Sequence, residues 1–98
     1  MKEYKNIEKI DSLDDGTMSV LMKNGREAVI EIVKLNEKFE AAIYRIFSPE
    51  LGKGKKKEST FAKLEKHELY KECAKEALGW IDENPLEFTE PQEIKEFK

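Results

Sequence analysis

A chain of 98 residues with a formal net charge of −3 suits one domain and is too short for two. Charged residues make up 40% and apolar ones 39%, with a mean hydropathy of −0.72. No apolar run approaches the roughly 20 residues of a membrane span, and the opening "MKEYKNIEKI" lacks the apolar stretch of a secretory signal. The single cysteine, Cys73, excludes an internal disulfide and leaves a cytoplasmic setting as the expectation.

The first segment, "KNIEKIDSL", reads two ways. Tyr4, Ile7, Ile10 and Leu13 recur every three residues, which fits a helical turn or a short strand with a bulge. "DDG" at Asp14–Gly16 signals a turn. In "TMSVLM", Met18, Val20 and Met22 alternate with polar residues, so a strand is expected over about 17–22. Asn24-Gly25 then suits a two-residue type I′ hairpin turn. "EAVIEIVKL" (27–35) is the return strand, apolar on both faces and hence central. "NEK" turns the chain into "FEAAIYRIF", a third meander strand over about 38–47 that ends at Ser48-Pro49. Its faces are Phe39, Ala41, Ile43 and Phe47 against Ala42, Tyr44 and Ile46. The larger apolar set belongs on the core, which puts Tyr44 outside and Arg45 at an edge.

Past a lysine-rich connection, "ESTFAKLEKHELYKECAKEALGWIDEN" resembles one long helix until its phase is tested. At about 100° per residue, Tyr70, Cys73, Ala74, Ala77, Leu78 and Ile81 form one stripe. Phe61 lies about 180° and Leu64 about 120° away from it. The expectation is therefore a fourth strand near 57–63 and a helix over about 66–83, stopped by Asn84-Pro85. Residues 85–98 form an acidic tail dotted with Leu86, Phe88, Ile94 and Phe97. The predicted fold class is α+β: a small antiparallel meander of four or five strands in a domain spanning 1–84, one long helix on one face, and a short C-terminal extension.

Catalytic signals are few, and no enzyme is expected. His67 and Cys73 fall about 120° apart on a helix, too far for a local dyad. Asp11, Asp14 and Asp15 lack the ordered spacing and terminal Glu of a calcium loop. "GKGKKKEST" fails the spacing of a phosphate-cradling P-loop. Neither a metal nor a cofactor is expected, and no small-molecule substrate is evident.

Binding remains. Residues 52–81 carry eight basic and five acidic side chains in an otherwise acidic chain. Lys53, Lys55, Lys56 and Lys57 crowd one loop, Lys23 and Arg26 flank the Asn-Gly turn, and Tyr44 offers an exposed ring. Cationic side chains beside an aromatic are what nucleic-acid binding uses. The element order with a basic hairpin tip resembles small DNA-binding folds: single-stranded binders with a four-strand, one-helix unit, and three-strand, one-helix modules of some recombinases. These basic and aromatic side chains point to a nucleic-acid partner, single-stranded or duplex, or to a role as accessory to a nucleic-acid machine. The alternative is a protein–protein interaction module (adaptor, homodimer subunit or inhibitor of a larger enzyme) acting through a sheet edge or the acidic tail.

Overall fold

A computed structural model of the chain describes residues 4–14, 16–47, 56–60 and 62–88. Five strands form one antiparallel sheet in chain order: β1 (Ile7–Asp14), β2 (Thr17–Met22), β3 (Glu27–Leu35), β4 (Lys38–Phe47) and β5 (Lys56–Ser59). Helix α1 (Tyr70–Glu83) packs on β3 and β4, and a 3-10 turn, Pro85–Phe88, follows it. This is the α+β meander with one helix that the sequence implied.

The core follows from period-two alternation meeting a helical stripe. Met18, Val20 and Met22 of β2, Ala28, Ile30 and Ile32 of β3, and Ile43 of β4 point to one face. Cys73, Ala77, Leu78 and Ile81 of α1 close over them. Phe39 and Ala41 pack against the same cluster, which leaves Tyr44 on the open face as anticipated. Tyr70 stays partly exposed and meets Phe39 edge-on at 5.7 Å between ring centroids.

The three-residue recurrence in the first segment belongs to a bulged strand, not to a helix. Ile7 lies opposite Met22 and Ile10 opposite Val20, both core-facing partners. Register shifts between Ile7 and Lys9, and again between Ser12 and Asp14, change which side each residue faces.

The hairpin at Asn24-Gly25 is present, but its turn is not type I′. Only Gly25 takes a positive φ (87°), and Asn24 Oδ1 accepts from the Arg26 amide at 2.9 Å. Three residues with the last one left-handed make the bulged alternative to a two-residue turn. The two-residue turn with both φ positive sits instead at Asn36 (51°) and Glu37 (64°), between the paired Leu35 and Lys38.

β5 is shorter than predicted and α1 starts later, for one shared reason. After the Thr60 amide donates to Ile43 O at 3.0 Å, the chain leaves β4 and rejoins it at His67. There the Phe39 amide donates to His67 O at 2.7 Å and the His67 amide to Phe39 O at 3.0 Å. That bridge holds His67 extended, so the helix begins at Tyr70 rather than near Lys66. Ala62 and Leu64, between the two contacts, pack against the core; Phe61 lies outside the described residues.

At the far end of α1, Asn84 Nδ2 donates to Trp80 O at 2.8 Å and Pro85 bars continuation. Phe88, 2% exposed, then tucks edge-on against Trp80. The chain's beginning is fastened to the same place. Asp82 accepts from the amides of Asn6 (2.6 Å) and Lys5 (3.2 Å), while Asn6 Nδ2 donates to Asp82 O at 2.7 Å. Among the described residues no helix is long and apolar enough to cross a membrane.

Candidate nucleic-acid interface

An antiparallel meander alternates its connections between two ends. The β2–β3 turn and the β4–β5 connection therefore emerge at the same end of the sheet. Register fixes the neighbourhood: Leu21, Glu27, Ile46 and Lys57 lie side by side across β2, β3, β4 and β5. Lys23 and Arg26 flank the first connection and Lys57 follows the second. Lys5 joins this end, because the Lys23 amide donates to Asn6 O at 2.8 Å. Lys53, Lys55 and the side chain of Lys56 lie outside the described residues, although Lys56 pairs through its backbone with Phe47.

Lys57 is already engaged. Its Nζ donates to Glu31 Oε2 at 2.7 Å and stands 4.5 Å from the centroid of the Tyr44 ring. The hydrogen bond to Glu31 raises the pKa of this lysine above its ordinary value. Tyr44 occupies the open face as expected, beside Glu31 and Glu40, with Lys57 over its ring. Of the seven predicted residues, Lys57 and Tyr44 thus meet directly, and Lys23 and Arg26 share their end of the sheet.

Two further polar groups carry structural work that no sequence pattern flagged. Arg45 reaches from β4 to Glu58 through two guanidinium nitrogens and to Glu87 O at 3.1 Å, pinning β5 and the 3-10 turn to the sheet. Asp82 ties the last turn of α1 to the residues just before β1. Neither residue stands in a motif, because each acts across long sequence separation.

His67 and Cys73 do not converge. His67 Nε2 lies 2.6 Å from Glu76 Oε1, whereas Cys73 is 1% exposed in the core. Burial, followed by the charge of Glu76, pushes the Cys73 thiol upward, so it stays neutral at pH 7. Native protein should therefore resist iodoacetamide at pH 7, and denaturant should restore ordinary thiol reactivity. Fast alkylation without denaturant would contradict the buried placement. Among the described residues no His, Cys, Asp or Glu cluster is arranged to hold a metal. A depression of about 470 Å³, lined in part by Asp14, Gly16, Lys34 and Tyr70, lies at the opposite end of the sheet and is open to solvent.

No family model, no curated protein and no solved structure matches this chain.

Proposed function

We propose that this protein is a small, non-enzymatic nucleic-acid-binding module of the cytoplasm that grips the phosphate backbone with the basic end of its sheet. The observation that carries this reading is that the β2–β3 turn and the facing ends of β4 and β5, Phe47 and Lys56, share one end of the sheet. They stand about two strand spacings apart, roughly 10 Å, and Lys5 adds a third cation nearby. Such an end concentrates positive potential locally even in an acidic chain. Contact runs along the end rather than across the open face, where Glu31 and Glu40 offset the cations of Lys57 and Lys66. Tyr44 then serves to seat Lys57 rather than to stack a base.

The sheet edges give the alternative of strand pairing less support. β1 is bulged twice and carries the exposed Lys9–Asp11 pair at 3.7 Å, both devices that blunt an edge. The other edge is the four-residue β5. The acidic tail beyond Phe88 lies outside the described residues.

Fluorescence anisotropy of labelled single-stranded and duplex oligonucleotides tests the proposal. Binding at low salt should weaken steeply by about 0.2 M salt. Replacing Lys53, Lys55 and Lys56 by alanine should cost at least about tenfold in affinity and reduce the salt slope by about three. Lys57→Ala should change binding less, because Glu31 already neutralises that ammonium. No binding at low salt, or a slope untouched by the triple change, would sink the reading.

A further inference from the structure

The depression of about 470 Å³ beside Tyr70 lies on the helix side of the sheet, at the end away from Lys23 and Arg26. Its size falls within the roughly 300–1,000 Å³ of small-molecule sites. Three local features make it. Helix α1 packs on β3 and β4 and begins only at Tyr70, so the corner toward β1 stays uncovered. The Ile32 amide, donating to Gly16 O at 2.6 Å, draws the β1–β2 turn onto β3. The register shift between Ser12 and Asp14 re-aims the end of β1, and both residues line the rim.

The floor is Ile32, 7% exposed, and one wall is the edge-on pair of Phe39 and Tyr70. Tyr70 heads the apolar stripe of α1. Cys73, Ala77, Leu78 and Ile81 of that stripe are buried, yet Tyr70 remains 38% exposed because it overlooks this hollow.

The rim carries one charge of each sign. Lys34 Nζ stands 5.5 Å from the centroid of the Phe39 ring and has no carboxylate partner among the described residues. Asp14 has no cationic partner among them either, whereas Glu31, Glu40 and Glu58 are each paired. An apolar floor, an aromatic wall and two uncompensated charges of opposite sign select a ligand with an apolar body, an ammonium and a carboxylate. A multiply charged anion such as a nucleotide would be repelled by Asp14.

We propose that this depression binds a free amino acid with an apolar or aromatic side chain. Its carboxylate meets Lys34, its ammonium meets Asp14, and its side chain lies against Ile32, Phe39 and Tyr70. The site is separate from the basic end, so it stands or falls apart from the nucleic-acid reading.

For so small a ligand in an open site, the dissociation constant should be on the order of 1 mM. Titration of the full chain with L-phenylalanine to about 20 mM, followed by amide NMR, should give saturable shifts at Gly16, Lys34 and Tyr70. Phenylpropionate lacks the ammonium and phenethylamine lacks the carboxylate, so each should bind at least about fivefold more weakly. Asp14→Asn should weaken phenylalanine to the same extent and leave phenylpropionate unchanged. Lys34→Gln should weaken phenylalanine and leave phenethylamine unchanged. Both side chains are exposed, so both variants should keep the far-ultraviolet dichroism of the wild type. Absence of saturable shifts, shifts confined to other residues, or variants that bind phenylalanine as the wild type does would overturn the proposal. So would a nucleoside monophosphate that saturates these amides where phenylalanine does not.

Discussion

An Ile81→Ala chain should unfold with about 2–5 kcal/mol less free energy than the wild type. Ile81 has no exposed surface and belongs to the cluster that joins α1 to Val20, Ile30 and Ile43. Truncation removes the transfer free energy of three carbons and leaves a cavity that a rigid sheet on one side cannot collapse. A domain of this size holds only about 5–15 kcal/mol in total, so the loss is a large share of it. The thermal midpoint should fall by roughly 10 °C or more. Urea denaturation reads the effect directly, with an unchanged m-value marking intact two-state behaviour. A loss under about 1 kcal/mol would mean that α1 does not close the sheet at this position.

Gly16→Ala should be nearly as damaging, through the backbone rather than the core. Gly16 holds φ at +89°, and an added Cβ would stand 2.6 Å from Ile32 O. The same two residues are joined by the Ile32 amide donating to Gly16 O at 2.6 Å, so the clash cannot relax without losing that bond. The left-handed conformation alone costs about 1–2 kcal/mol for alanine. The forced separation of the β1–β2 turn from β3 should bring the total to about 3 kcal/mol or more. Gly25→Ala is the internal control. Its φ is +87°, yet nothing lies within 4 Å of the added carbon. It should show the conformational penalty alone, about 1–2 kcal/mol. Equal losses in the two variants, measured by the same urea titration, would disprove the close approach at Gly16.

How much of this was legible in the sequence depended on the range over which each determinant acts. Alternation in 17–22, 27–35 and 38–47 is local, and it predicted three strands, their order and which face Tyr44 occupies. The phase break between Leu64 and Tyr70 correctly separated strand from helix. It did not place the helix start, because the His67–Phe39 bridge that sets it spans the chain. Turn chemistry misled at one site. Asn24-Gly25 has the composition of a type I′ turn, yet that conformation is adopted by Asn36-Glu37, where a two-residue spacing between Leu35 and Lys38 requires it. The first segment was ambiguous because two bulges imitate a three-residue period. At the candidate site the basic residues were visible individually. Their gathering at one end is a property of meander topology, and the capture of Lys57 by Glu31 needs a reach from β5 over β4 to β3. Arg45 and Asp82 left no local trace at all.

The clasp between Asp82 and the amides of Lys5 and Asn6 bears on how the chain reaches this state. Every β-hairpin of the meander closes over a short stretch, so the sheet can assemble stepwise from neighbouring contacts at small entropic cost. The clasp spans 77 residues, and closing a loop of that length costs about 4 kcal/mol of chain entropy when made from the open chain. Made after sheet and helix have docked, the same contact joins groups already near each other. Folding order therefore converts an expensive long-range pairing into a local one. The carboxylate of Asp82 acts as a late lock, holding the first residues of β1 against fraying rather than guiding the early search.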